Sequence, residues 1–262
     1  MKSKVYQFIG VVSFLILFIF SYLFYAGKIF SITAINDAAI EKEEAGFAVF
    51  ELFASESCGK CPAAEVLLAK IQTENVNKAL YILTYHVDYW DIRGWKDQFG
   101  QAIFSDRQRQ YARWLNSTVY TPQLVVNGSK EFIGSDEQAV NSVIRDEFSR
   151  KNPSSLQLTS DYVKNGIRVR YQGVQLLEHE EVVVALIEKE GQTQVKAGPN
   201  SGKLLSHIQI VHQLVKLDNI VKEQFIPIPT TWNTKEWELI GFVQSRNNGR
   251  IRDAARHQFA WE

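Results

Sequence analysis

The two cysteines of the chain stand together as Cys58-Gly59-Lys60-Cys61, and no others occur. A secreted protein stapled by disulfides carries more sulfur, spread along its length. Sulfur gathered at one spot favours a local redox or metal role. The flanking residues sharpen this. Phe47-Ala48-Val49-Phe50-Glu51-Leu52-Phe53 reads as a short buried strand, and Ala54 to Ser57 as a turn. From Cys58 to Glu74 the spacing is helical, with Val66, Leu67 and Ile71 on the apolar face and Pro62 in the first turn. The cysteines are therefore expected at a helix N-terminus, where unpaired N–H groups and a partial positive charge stabilise a thiolate. Cys58 is the expected attacking thiol and Cys61 the resolving one. Lys60 is expected to point to solvent. An inert structural disulfide and a metal site are the alternative readings of the same pair.

A chain of 262 residues has room for two domains. Residues 1–27 hold Lys2 and Lys4, then an uncharged apolar run from Val5 to Ala26, long enough for a transmembrane helix. The lysines precede the run and acids follow it, which points the body of the protein out of the cytoplasm. A cleaved signal segment, with release to the periplasm, is the alternative. Residues 28–45 read as a polar, acidic spacer. Lys and Arg total 29, as do Asp and Glu, with no basic stripe, so nucleic acid is excluded as the expected partner.

Residues 46–151 read as an α/β domain: the strand and Cys-x-x-Cys helix, a strand at Leu80 to Val87, a Trp- and Asp-rich loop, and a helix from Gln98 to Leu115. Thr121-Pro122 then leads a strand at Gln123 to Asn127, Asn127-Gly128 signals a hairpin, and Ser135 with Gln138 suggests a capping box. After an Asn152-Pro153-Ser154-Ser155 linker, residues 156–262 read as a mainly antiparallel β-sandwich. Strands are expected at Leu156 to Thr159, Ile167 to Tyr171, Val182 to Ile187 and Glu238 to Val243, and the alternating run His207 to Leu217 suggests one more.

Several further residues are candidates. Glu51, in an otherwise apolar strand, is placed to shuttle a proton for Cys61 if it is buried; at a strand edge it would face water. His86 and Asp88 have metal-ligand chemistry and offer, with the cysteines, a zinc or copper set. The competing reading makes Trp90 and Trp95 core plugs and Asp88 and Asp91 caps. Arg107, Arg109 and Arg113 read as a solvated helix face, His207 and His212 as surface or satisfied core histidines, and Ser55 and Ser57 as turn formers.

The order of strand, Cys-x-x-Cys helix, strand, helix and Pro-led hairpin resembles thioredoxin-like proteins. In these a cis proline at the place of Pro122 lies against the cysteines and leaves a backbone edge free for substrate, so Pro122 is expected to be cis. The stretch from Phe50 to Glu65, His86-Val87-Asp88-Tyr89-Trp90-Asp91, Gly94-Trp95-Lys96-Asp97, Arg107-Gln108-Arg109-Gln110-Tyr111, Val119-Tyr120-Thr121-Pro122-Gln123 and Phe132-Ile133-Gly134-Ser135-Asp136 together resemble a bacterial envelope family of unknown function, domain of unknown function family 1223. The resemblance implies a thioredoxin-like domain with an appended β domain, usually exported, and supplies no activity. The chain departs from thioredoxin in its Gly-Lys pair. Leu52 holds the offset of thioredoxin's buried acid, and Glu51 lies one residue further away.

The expected function is an extracytoplasmic thiol–disulfide oxidoreductase using Cys58, Cys61, Pro122 and Glu51. It has no cofactor and acts on protein thiols or disulfides of the cell envelope. A copper-handling protein using Cys58, Cys61 and His86, and a non-catalytic interaction protein with a static disulfide, are the rivals.

Overall fold

The computed structural model describes Tyr22 and residues 46–259, apart from residues 151, 153, 230 and 231. Strand β1, Ala48–Ala54, is buried at all seven positions. A strand with neither face wet needs a packed layer on each side. Its alternate residues separate accordingly. Phe50 and Leu52 meet helices α1, Cys61–Glu74, and α3, Glu137–Phe148. Val49 and Phe53 meet Phe104 and Tyr111 of helix α2, Ala102–Leu115.

Beside β1 run β2, Leu80–His86, in parallel, and β3, Gln123–Val126, antiparallel. A hairpin joins β3 to β4, Lys130–Ile133. Asn127 and Gly128 in its turn take φ of 45° and 60°, the left-handed conformations that Asn and Gly tolerate best. A side chain at position 128 would also strike the Gly249 carbonyl. α3 starts one residue later than its expected cap: Asp136, not Ser135, accepts the Ala139 N–H at 3.0 Å.

The elements after α3 among the described residues are strands: β5, Gln157–Val163, β6, Gly166–Gln172, β7, Glu180–Gln194, β8, Leu204–Leu217, β9, Glu223–Pro227, β10, Trp237–Ser245, and β11, Ile251–Gln258. These strands do not form a separate sandwich. Among the described residues, one eight-stranded mixed sheet runs β11-β10-β7-β8-β2-β1-β3-β4, and β5-β6-β9 stand apart as a second, three-stranded sheet. The expected thioredoxin-like α/β domain followed by an independent β-sandwich is overturned by this connectivity. β8 lies parallel to β2 through Thr84 and Ile210, so strands from both expected halves share one sheet. The physical reason is the outer edge of β2, which would otherwise present unpaired N–H and C=O groups. Val183, Ala185 and Ile187 of β7 and Ile240 and Phe242 of β10 accordingly share a core with Val49 and Phe53. The other residues of β7 and β10, among them Val182, Val184 and Leu239, pack on Leu158, Ile167 and Val169 of the second sheet.

The N-terminal membrane helix expected over residues 1–27 lies outside the described residues, Tyr22 excepted. No helix among the described residues is long and apolar enough to cross a membrane.

Two site expectations are corrected by β1 and α2. Glu51 is buried and shares its strand parity with Val49 and Phe53, so it faces α2 and not the Cys-x-x-Cys helix. Arg107, read as solvated, is buried against it: its Nε lies 2.6 Å from Glu51 Oε2, and Tyr111 donates its hydroxyl to the other carboxylate oxygen. The guanidinium also donates to Gln244 Oε1 of β10 at 3.2 Å and stacks over Tyr85, Tyr111 and Phe242. Glu51 is thus part of a structural network joining β1, α2 and β10. Removing one partner of a buried ion pair strands the other charge and costs about 3–5 kcal/mol. Arg107→Ala is expected to lower unfolding free energy by that amount in urea titrations. A loss under about 1 kcal/mol would contradict the assignment.

Candidate functional site at the tip of helix α1

Helix α1 begins at Cys61, three residues later than the sequence suggested, with Lys60 at its N-cap and Pro62 in its first turn. Proline costs nothing there, because its missing N–H has no intrahelical acceptor. Cys58 precedes the helix in a tight turn, its N–H bonded to the Ser55 carbonyl at 3.0 Å, and the Cys61 N–H returns to the Cys58 carbonyl at 3.2 Å. The two cysteines form a disulfide with Cα atoms 5.4 Å apart.

The Thr121-Pro122 peptide is cis. Gly134 explains how Pro122 fits: a Cβ there would come within 2.7 Å of Leu52 Cδ1, 3.3 Å of Ala64 Cβ and 3.5 Å of Pro122 Cβ. Ala64 is three residues beyond Cys61, so Pro122 borders the same end of α1 as the disulfide.

The disulfide is covered. Cys58 is 2% exposed and Cys61 0%, while Gly59 and Lys60 between them are exposed. The cover is the connection between β7 and β8, closed by the Val195 N–H on the Lys203 carbonyl and the Gly202 N–H on the Val195 carbonyl, both at 2.9 Å. From it the buried Asn200 amide donates to the carbonyls of Glu56 at 2.8 Å and Cys58 at 3.0 Å. Pro199 Cβ lies 3.7 Å from where a Cβ on Gly59 would stand. This clamp has no local sequence signal, because Asn200 lies 142 residues from Cys58.

Next to the disulfide is a set of buried ionisable groups. Glu65 lies four residues after Cys61, one turn along the same helix face. Its Oε2 is 2.9 Å from His207 Nδ1 of β8. His207 Nε2 lies 3.6 Å from Glu56 Oε1. Trp95 Nε1 donates to Glu56 Oε2 at 2.5 Å. His86, at the end of β2, holds Asp97 Oδ2 at 2.7 Å through Nδ1, and its ring meets that of His207 edge to face at 5.0 Å. Burial alone would lower the His207 pKa, but the adjoining Glu56 and Glu65 outweigh it and raise it to about 10. Burial would raise Glu56 and Asp97. His207, Thr193 and Trp95 hold Glu56 below the usual carboxylate range, and His86 with the N–H groups of Glu56 and Phe99 does the same for Asp97.

The structure therefore brings Cys58, Cys61 and Pro122 to one end of α1 and takes Glu51 to another place. It gathers His86 with Glu65 and His207, whereas Asp88 instead accepts from the Ser105 hydroxyl. His207, read as an incidental histidine, and Glu65, passed over, are members of the site. The signal for Glu65 was present: a carboxyl among apolar neighbours, four residues from Cys61. His212 is not one of the three residues Glu65, His86 and His207; it pairs with Glu188 at 2.8 Å, and its ring meets Phe99 at 5.7 Å.

A family model described as protein of unknown function (DUF1223) matches residues 49–244. A crystal structure of a protein from Agrobacterium tumefaciens is similar at 23% identity and a TM-score of 0.61, over 84% of this chain and 98% of that one. HBP35 of Porphyromonas gingivalis is similar at 14% identity and a TM-score of 0.49, over 82% of this chain and 76% of that one. A domain of the outer membrane lipoprotein Omp28 from the same organism is similar at 10% identity and a TM-score of 0.22, over 41% of this chain and 91% of that one. No curated protein matches the chain.

If the Asn200 clamp limits access to the sulfurs, weakening it must speed their reduction. Asn200→Ala removes two hydrogen bonds worth about 1 kcal/mol each, so reduction by dithiothreitol is expected to quicken about tenfold or more. The rate is read by thiol alkylation over time; an unchanged rate would show that the turn is no barrier.

Proposed function

The chain belongs to the DUF1223 family, whose description names no activity, and we propose from its own site that it is an extracytoplasmic thiol–disulfide exchange protein. The observation that carries the reading is a lone disulfide across the N-terminus of α1, beside the buried Glu65 and His207. A helix tip stabilises a thiolate through its free N–H groups and dipole.

In the dithiol form, the Cys58 thiolate attacks one sulfur of a substrate disulfide. A mixed disulfide forms and one substrate thiolate leaves. The Cys61 thiolate then attacks Cys58 Sγ, the second substrate thiolate leaves, and the intramolecular disulfide is restored. The substrate gains two electrons and the cysteine pair loses them; in the opposite direction every step reverses. Pro122 borders the surface where the substrate backbone would lie. Glu65 and His207, rather than Glu51, stand where a proton could be held for Cys61. The turn bearing Asn200 has to lift for a protein substrate to reach Cys58. The lysines ahead of the apolar N-terminal run support action on envelope proteins.

Cys58→Ser is expected to reduce exchange with a disulfide-bonded peptide to the uncatalysed rate, whereas Cys61→Ser should accumulate a mixed disulfide through Cys58, seen by mass spectrometry. Equal exchange rates in wild type and Cys58→Ser would reduce the disulfide to a static staple.

A further inference from the structure

We infer that Glu65, His86 and His207 form a binding site for a divalent transition-metal ion of the zinc type. One ligand atom from each lies within 4.8 Å of the others, and all three residues are buried. Two imidazoles and one carboxylate are a recurrent donor set for such ions, and three protein ligands leave a further position open.

What points to a ligand is an orphan. His86 commits Nδ1 to Asp97, which leaves Nε2 buried without a hydrogen-bond partner, although the residue is 0% exposed. Such a group costs about 1–3 kcal/mol unless something binds it. His207 Nε2 also lacks a hydrogen-bond partner, and the hydrogen bond between His207 Nδ1 and Glu65, 2.9 Å apart, gives His86 Nε2 nothing. A metal ion between the three residues satisfies that nitrogen and replaces the hydrogen that His207 Nδ1 and Glu65 share.

The surroundings match a metal centre too. Metal-binding imidazoles usually direct their second nitrogen to a carboxylate, which fixes the ring and strengthens the donor. Asp97 does this for His86 at 2.7 Å, and Glu56 Oε1, itself unpartnered, faces His207 Nε2 at 3.6 Å. Glu56, Glu65 and Asp97 place three carboxylates in the interior, and their ion pairs among the described residues are with histidines alone. A divalent cation would offset part of that charge. Phe99 covers the cluster, its ring 5.2 Å from His86 and 5.5 Å from His207.

The site uses no sulfur but shares Glu65 and His207 with the proton-holding role proposed above. Zinc binding with the disulfide intact and thiol exchange without metal are measured separately, so either reading can fail alone. The test uses the full chain with its disulfide intact, which withholds both thiolates. After chelator treatment and removal of the chelator, Zn2+ alone is titrated in competition with a chromophoric chelator. The expected result is a single ion per chain, and X-ray absorption of the zinc-loaded protein should show nitrogen and oxygen neighbours without sulfur. His86→Gln and Glu65→Gln should abolish binding. Asp97→Asn, which keeps all three ligands, should weaken it about 10–100-fold. Circular dichroism establishes that each variant is folded. No zinc binding by the wild type, sulfur among the zinc neighbours, or undiminished binding by folded His86→Gln would overturn the site.

Discussion

The structure depends on one pairing, the insertion of β8 beside β2. The contact is short, with Thr84 opposite Ile210, yet it fuses what would be two sheets into one. It protects the edge of β2 from solvent and other chains. It also carries two things to the tip of α1 that the first half of the chain lacks. The β7–β8 connection brings Asn200 over the cysteines, and β8 brings His207 between Glu56 and Glu65. The candidate site is therefore assembled across the long sheet and is absent from the Cys-x-x-Cys segment alone.

The two buried ionic networks on either side of β1 have different characters. In the Glu51 network the carboxylate itself is satisfied by both Arg107 and Tyr111, and Arg107 reaches on to Gln244, although the neighbouring Tyr85 hydroxyl has no hydrogen-bond partner. This network ties β1, α2 and β10 together. The Glu56–Glu65–His86–His207 network is open. It leaves His86 Nε2, His207 Nε2 and Glu56 Oε1 unbonded in the interior. Unsatisfied polar groups on that scale are expensive in a low-dielectric setting, and they concentrate where a protein binds or moves something.

Local signals in the sequence were accurate where neighbours along the chain decide the outcome. The apolar run before Cys58 is β1, the helical spacing after it is α1, Asn127-Gly128 is a hairpin turn, and His207 to Leu217 is strand. Partners chosen over long distances were not legible. Alternation in β8 marks it as a strand but does not say that its neighbour is β2, and a Pro- and Ser-containing stretch after Asn152 suggested a domain boundary that the sheet crosses. Glu51 shows the same limit: its sequence context left burial and a water-facing strand edge both open, and the face it points to depends on pairing and helix placement. Arg107 looked solvated because helix periodicity cannot reveal that β10 supplies Gln244 and Phe242 around it. Val66, counted on the apolar face of α1, is exposed, and Glu65 takes the buried position.

The central claim is that the clamped Cys58–Cys61 pair exchanges electrons in the folded protein. The direct measurement is equilibration of the native chain in glutathione and dithiothreitol buffers of graded potential, with the dithiol fraction read by alkylation and folding followed in parallel. The account predicts a reversible two-electron transition above about −300 mV, the range of disulfides that exchange, with the fold retained throughout. A couple that stays oxidised below that potential, or that opens only as the protein unfolds, would contradict it.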